Sequence, residues 1–185
     1  SFLHITPPLC PGCGSPQPVG VLCPACASRQ SEFDGIRSLF RFEGVMRQAI
    51  HRLKYQKLRT LIAPLAELLD DYLITYPIPA EVLMPVPLHT KRLRERGYNQ
   101  SILLARELGK LTNLPVSEEC LIRQQHAFPQ ARTTNVDERR SNVTGAFTCR
   151  DQTARDKQVL LIDDVATSGA TLGACAAALK QRGLP

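Results

Sequence analysis

Two adjacent carboxylates, Asp163 and Asp164, follow four apolar residues, Val159-Leu160-Leu161-Ile162, and precede a run of small and hydroxyl residues, Val165 to Thr171. The apolar run predicts a buried strand. Beyond the turn, Leu172, Cys175, Ala176 and Leu179 recur at helical spacing, Lys180 and Arg182 fall in the last turn, and Gly183 supplies a stop. Strand, polar turn and helix N-terminus in that order form a phosphate site, because the helix start offers unpaired N–H groups and a partial positive charge. Gly169 admits close backbone approach, and Thr167, Ser168 and Thr171 add hydroxyl donors. Carboxylates beside such a site would repel a phosphate, so they need a task of their own. They suit two vicinal sugar hydroxyls as acceptors, or a Mg²⁺ shared with the phosphates as ligands. A sugar phosphate satisfies both halves of the stretch; a strand capped by acids before a helix is the plainer alternative. No Gly-Lys-Ser/Thr follows, so this is not a Walker loop.

A second chemistry lies near the N-terminus, in Cys10-Pro11-Gly12-Cys13 and Cys23-Pro24-Ala25-Cys26. Two Cys-x-x-Cys turns aim four thiolates at one ion, the pattern of a closed, structural zinc site. Disulfides or iron in the same ligands are the alternatives. A segment so short, rich in Pro and Gly and without periodicity, cannot bury a core, and a metal would supply its folding energy.

Basic residues mark a third place. Lys91, Arg92, Arg94 and Arg96 against Glu95 give residues 91–96 a local charge of +3, ending at Gly97 before a helical pattern in Ile102, Leu103, Ala105, Leu108 and Leu111. Cations and a glycine at a strand-to-helix junction suit a second anion: Arg96 can grip a pyrophosphate bidentately, with Lys91, Arg92 or Arg94 in support. A solvated basic loop is the alternative. Between Arg123 and Asn142 runs a long polar stretch with Arg132, Arg139 and Arg140, which reads as a lid over bound phosphates or as a surface loop.

The elements that must position these groups follow from periodicity. Ile36 to Phe42 alternates as a strand. Val45, Met46, Ala49, Ile50 and Leu53 mark a helix ending at Lys54-Tyr55. Leu61, Leu65, Leu68, Leu69, Tyr72 and Leu73 mark another, with Pro64 in its first turn. Glu81–Val86, Val116–Ile122 and Val143–Thr148 read as ordered, strand-like stretches. Cys120 reads as an ordinary packed or surface thiol, and Cys149 and Cys175 read as structural. The chain of 185 residues suits a Cys₄ zinc-ribbon-like module over 1–32 and an α/β domain over 33–185. A parallel sheet would continue with another strand after the final helix, so the chain is expected to be truncated there; Ser1 in place of Met points to a processed or partial N-terminus. No apolar run approaches a membrane span and no signal pattern opens the chain. Seven cysteines, an odd number unevenly spread, argue for a reducing, cytoplasmic setting. The net charge of +6 mildly favours anionic partners.

Together these stretches resemble one family, the ComF/GntX competence proteins, a group of type I phosphoribosyltransferase-like proteins. The resemblance covers nearly the whole chain. It rests on the Cys₄ knuckles, Leu53-Lys54-Tyr55, Val86-Pro87-Leu88-His89 through Arg96-Gly97-Tyr98-Asn99-Gln100, Arg140-x-Asn142 through Gly145-Ala146-Phe147, and Ile162-Asp163-Asp164 through Thr171. The last of these is similar to the 5-phosphoribosyl-1-pyrophosphate (PRPP) signature of all type I phosphoribosyltransferases. Tyr98 stands where the family usually has Phe, and Thr167-Ser168 where it has two Thr; both keep the chemistry. The resemblance implies a Rossmann-like parallel sheet flanked by helices, with a hood. It implies that Asp163 and Asp164 hold the ribose hydroxyls and that Ala166, Thr167, Ser168, Gly169, Ala170 and Thr171 cradle the 5-phosphate. Arg92, Arg96 and Gly97 would then take the pyrophosphate, with Mg²⁺, and the loop bearing Arg132, Arg139 and Arg140 would close over it. Three functions remain open: a Mg²⁺-dependent phosphoribosyltransferase with an unread acceptor; a single-stranded-DNA-handling factor working with the competence machinery; and a PRPP sensor without catalysis. Oligomeric state is not readable.

Overall fold

The computed structural model describes residues 3–28, 31–124, 145–150 and 154–183. Its first part is the cysteine knuckle region, with one short helix, α1 (Pro24–Ala27), starting directly after Cys23. Residues 31–43 form an extended strap. The strand expected over Ile36–Phe42 is not there: the strap makes one isolated antiparallel bridge, His4 to Phe40. Its ladder consists of Ile5 N–H to Leu39 O at 2.9 Å and Arg41 N–H to Leu3 O at 2.9 Å. The segment it would pair with runs into Pro7-Pro8, which have no N–H to extend a ladder. The alternation that read as a strand instead serves a strap that touches different elements on its two sides.

Helix α2 (Gly44–Tyr55) buries Met46, Ile50 and Leu53 of the predicted face, leaves Ala49 half-buried and Val45 exposed, and ends at Tyr55 as predicted. Helix α3 (Ile62–Thr75) carries Pro64 in its first turn, where its missing N–H costs nothing. Strand β1 (Val82–Pro85) is buried throughout. Helix α4 (Thr90–Arg96) replaces the basic loop expected at 91–96. It is short and carries one apolar residue, Leu93, so no apolar periodicity announces it. It is held at its ends, where Lys91 N–H donates to His89 Nδ1 at 3.1 Å and Gly97 takes a left-handed conformation (φ 79°) as the stop. Helix α5 (Gln100–Thr112) follows at once.

The segment expected as one strand over Val116–Ile122 divides between two sheets. Val116 bridges β1 in parallel fashion, while β2 (Leu121–Arg123) pairs antiparallel with β3 (Phe147–Cys149). Strand β4 (Val159–Ile162) lies parallel to β1 in the register Val82↔Val159 to Pro85↔Ile162, and helix α6 (Ala170–Lys180) closes the described chain. The described parallel sheet is thus β1 and β4, with Val116 on β1's other side, smaller than the Rossmann-like sheet expected.

Helices nonetheless cover both faces of that pair. Val82, Met84 and Val86 point into a cluster with Phe147, Cys175, Ala178 and Leu179 on the β2–β3 and α6 side. Leu83 and Ile162 point the other way, into a cluster with Leu53, Tyr98, Leu104 and Leu108 from α2, α5 and the turn before α5. Residues alternate between faces and each face packs against apolar neighbours, which is why the two strands read as unbroken apolar runs. Both strands end at the same edge, where the chain continues into Val86-Pro87 and Asp163-Asp164.

Leu83 is fully buried between the sheet and α5. Leu83→Ala should therefore destabilise the fold by about 2–5 kcal/mol. Leu93→Ala, at a side chain 41% exposed, should change it by less than about 0.5 kcal/mol. Urea midpoints of the two variants check this.

Candidate functional site

Beyond Ile162 the backbone N–H of Asp164 donates to Asp163 Oδ1 at 2.9 Å, turning the chain sharply and setting the two carboxylates side by side. Four consecutive residues at the α4–α5 junction then fix the neighbourhood, each to a different partner. The Tyr98 hydroxyl donates to the Leu53 carbonyl in α2. Asn99 Nδ2 donates to the Val86 carbonyl at 2.9 Å, and Asn99 Oδ1 caps α5 by accepting from Ser101 N–H at 3.0 Å. Gln100 Nε2 donates to Asp164 Oδ1 at 3.0 Å, and the Ser101 hydroxyl donates to Asp163 Oδ1 at 3.0 Å. Asn99, Gln100 and Ser101 are buried polar side chains with these bonds as their reason.

Behind Gln100 stands Arg96. It is buried, donates from Nη1 to Gln100 Oε1 at 3.0 Å, and lies 5.4 Å over the Tyr55 ring. The Lys54 ammonium forms an ion pair with Asp164 Oδ2. The Asp164 side chain is 3% exposed, and among the described residues Oδ2 has no partner other than Lys54. Burial and the charge of Asp164 push the Asp163 carboxyl up to about 7, against the pull of the Asp164 N–H and the Ser101 hydroxyl. Arg123, at the end of β2, belongs to the same electrostatic neighbourhood. Burial and the nearby Arg92 lower its pKa, while Cys175 and Asp163 act in the opposite sense.

On one side of the carboxylates lies the loop to α6. Gly169, in a left-handed conformation (φ 72°), occupies the cap position of α6 and provides no side-chain acceptor there. The first N–H groups of α6 are therefore not used up by a cap, apart from a weak bond from Ala170 N–H to Ser168 Oγ at 3.4 Å. Ala166 and Thr167 are exposed; Ser168, Ala170 and Thr171 are half-buried. A side chain could not replace Gly169 easily, since a Cβ there would meet Ile36 Cδ1 at 2.8 Å, and Phe33 lies close by. On the other side, Lys54, Tyr55, Lys57, Arg92, Glu95 and Arg96 line a cavity of about 190 Å³ between α2 and α4. Gly97 is the cap of α4, and a Cβ there would meet nothing within 4 Å.

The four N-terminal cysteines converge independently. Their sulfurs all lie within 4.8 Å of one another, and Cys13 and Cys23 Sγ are 3.8 Å apart. That is about the edge of a tetrahedron with metal–sulfur bonds of about 2.3 Å. Backbone N–H groups of Cys13 and Cys23 lower Cys10 to about 6, favouring thiolate, while burial and the neighbouring thiols push Cys26 up to about 12. Four thiols in this arrangement fit a closed metal site.

The structure thus brings Asp163, Asp164, the 166–171 loop, Arg92 and Arg96 to one end of the sheet. Arg132, Arg139 and Arg140 lie outside the described residues. Lys54, Tyr55, Ser101 and Arg123 join the site without having been assigned a part in it from sequence, as does Gln100. Lys54-Tyr55 and Gln100 stood out only as shared family residues, and no local spacing ties them to carboxylates far along the chain.

No family model matches the chain. Among curated proteins, the chain is 30% identical over 192 residues to "Competence protein ComFC" of Bacillus subtilis (strain 168), covering 97% of this chain and 74% of that protein. It is 29% identical to "Competence protein F" of Haemophilus influenzae, covering 96% and 80%. It is 25% identical to "DNA utilization protein YhgH" of Escherichia coli (strain K12), covering 95% and 79%. Among solved structures, it superposes on the glutamine phosphoribosylpyrophosphate (PRPP) amidotransferase from B. subtilis complexed with ADP and GMP. The TM-score is 0.45 at 17% identity, covering 68% of this chain and 24% of that one, too slight a likeness to argue from.

The raised Asp163 carboxyl has a consequence for stability. Its folded pKa of about 7 exceeds the ordinary value of about 3.9, so the fold favours the neutral acid. The stabilisation is complete below about pH 4 and is lost as pH rises through about 7. Asp163→Asn should be more stable than the parent at about pH 8 and should flatten the fall between about pH 5 and 8. Urea melts across that range check both; a steeper fall in the variant would contradict the assignment.

Proposed function

The chain belongs to the ComF family of competence proteins, and from that membership we propose that it binds PRPP with Mg²⁺ where β4 meets α6, as a phosphoribosyltransferase-like protein working in DNA uptake. One observation carries the proposal. Gln100 and Ser101 hold the Asp163 and Asp164 carboxylates at the end of the parallel sheet, between an α6 N-terminus with no side-chain cap and a cavity lined by cations. Those three parts match the three chemistries of PRPP: a diol, a monophosphate and a pyrophosphate.

In this proposal Asp163 and Asp164 accept from the ribose hydroxyls. The N–H groups of 166–171, with the Thr167, Ser168 and Thr171 hydroxyls, take the 5-phosphate. Arg92 borders the cavity and takes the pyrophosphate, while Arg96, bound to Gln100 and stacked on Tyr55, holds that clamp rigid as well as lending charge. Mg²⁺ fits the donor set: Asp164 Oδ2 is a buried, hard oxygen whose one partner among the described residues is the Lys54 ammonium. When bound it would neutralise charge on the departing pyrophosphate. Arg132, Arg139 and Arg140 are assigned to closure over the ligand. Zn²⁺ is the metal proposed for Cys10, Cys13, Cys23 and Cys26, holding a module over residues 1–32 ahead of the phosphoribosyltransferase-like domain. Among the described residues no helix is long and apolar enough to cross a membrane.

A second reading, binding of single-stranded DNA, is favoured by the position of Arg94. Arg94 and Arg92 are exposed on α4 and free to meet a backbone, whereas Arg96 is buried.

Calorimetry of PRPP with Mg²⁺ tests the first reading: Asp163→Ala with Asp164→Ala should weaken binding about a hundredfold or more. Undiminished binding would exclude the carboxylates as ribose ligands. The two readings separate on α4. Arg94→Ala should leave PRPP affinity within about threefold and reduce the salt slope of any oligonucleotide binding by about one. Arg96→Ala should weaken PRPP, and oligonucleotide binding less. Zinc analysis should return about one ion per chain, and Cys13→Ser should lower both metal content and melting temperature.

A further inference from the structure

Lys54 occupies an unusual position. It is the penultimate residue of α2, and its neighbour Leu53 is pinned through its carbonyl by the Tyr98 hydroxyl. The backbone there is fixed while the lysine side chain, 19% exposed, is not enclosed. Its ammonium faces two environments. One is Asp164 Oδ2, buried, whose one partner among the described residues is this ammonium. The other is the cavity of about 190 Å³ that Lys54 itself borders, where Lys57, Arg92 and Arg96 outnumber the single acid Glu95.

Resting on the PRPP reading above, we infer that Lys54 is a displaceable counter-cation: it neutralises Asp164 in the resting protein, and a divalent cation at Asp164 drives it into the cavity, where it joins the groups that bind the ligand's pyrophosphate. The charges explain both positions. With no anion in the cavity, a fourth cation there is repelled by Lys57, Arg92 and Arg96, and Asp164 is the better partner. With a pyrophosphate in the cavity and a metal on Asp164, both terms reverse sign. A lysine suits such a move, because its flexible stem carries a compact charge between two sites without moving the backbone; an arginine fork would be committed to one geometry. Metal at Asp164 and anion in the cavity thereby favour one another, and the coupling is reciprocal. The same pair keeps Asp164 from binding stray divalent cations when no anionic ligand is present.

The test needs no PRPP. Mn²⁺ alone is titrated by electron paramagnetic resonance into the parent protein, Lys54→Met, Lys54→Gln and Lys57→Met. Both Lys54 variants should bind Mn²⁺ about tenfold tighter than the parent, since they remove the competing cation. Lys57→Met, which lacks contact with Asp164, should stay within about threefold. In the parent, Mn²⁺ should raise the reactivity of the Lys54 amine toward acetic anhydride, read by mass spectrometry, which keeps the inference testable should a variant not fold. Unchanged or weaker Mn²⁺ binding in the folded Lys54 variants, or unchanged amine reactivity in Mn²⁺-loaded parent, overturns it. Failure of the parent to bind PRPP while Lys54→Met gains Mn²⁺ affinity would instead overturn the ribose reading and leave the counter-cation in place.

Discussion

Two adjacent carboxylates at the mouth of a parallel sheet are a load that the surrounding chain has to balance before it can pack. Asp164 is almost fully withdrawn from water, and Asp163 is raised by burial and by Asp164 itself. Left alone, such a pair would cost several kcal/mol. The balance comes from two directions: an ammonium from α2, and an amide and a hydroxyl from the first turn of α5. The placement of α2 and α5 at this end of the sheet is thereby tied to the acids. The Tyr98 and Asn99 bonds repeat the tie at backbone level, to Leu53 in α2 and to Val86 after β1. The turn before α5 works as a clasp between two helices and two strands, and its centre is the carboxylate pair.

The cysteine knuckle supports the same centre from behind. Ile36 N–H donates to Gly12 O at 2.8 Å, and Arg37 Nη1 donates to Pro11 O at 3.0 Å. A Cβ on Gly14, which is left-handed at φ 71°, would meet the Ile36 carbonyl at 2.5 Å. The strap is thus pressed onto the first Cys-x-x-Cys turn. Its other side puts Ile36 and Phe33 against Gly169 at the start of α6. One short segment therefore touches both the thiol cluster and the loop proposed to hold a phosphate. The floor of that loop rests on a knuckle in which four sulfurs converge within 4.8 Å of one another.

Much of this was legible in the residues. The apolar run before Asp163 declared β4, the small and hydroxyl residues declared the turn, and the paired Cys-x-x-Cys spacing declared a cluster that the structure forms. Helices α2, α3 and α5 declared themselves by apolar periodicity, although the predicted residues of α3 are half-buried and its buried ones are Ile62 and Ala66, while Val45 of α2 and Leu111 of α5 lie exposed. What stayed hidden had physical reasons. The alternation over Ile36–Phe42 reflects a strap with different neighbours on its two sides, and a period of two cannot distinguish that from a strand. Helix α4 has a single apolar residue and a histidine as its cap, so neither periodicity nor a favoured capping residue marked it. The stretch Val116–Ile122 has the composition of one strand but supplies a bridge to β1 and then β2, with a bend between. Lys54, Ser101 and Arg123 acquire their meaning only when distant segments meet, which no local pattern encodes.

The basic stretch at 91–96 shows most clearly what the fold adds to composition. As sequence it is one block of charge, equally suited to a small anion or to a nucleic-acid backbone. Folded as a helix, it splits. Arg96 turns inward, stacks on Tyr55 and hydrogen-bonds the glutamine that holds Asp164, so its charge is committed to the carboxylate centre. Arg94 stays in water, and Arg92 lies between, on the surface yet bordering the cavity. A helical turn brings residues four apart onto one face. Arg92 and Arg96 therefore share the side that meets α2, while Arg94 points away. The same few residues thus carry one buried positive charge, in Arg96, and one exposed, in Arg94. In the two proposed readings Arg96 serves the small ligand and Arg94 the polyanion, while Arg92 is common to both.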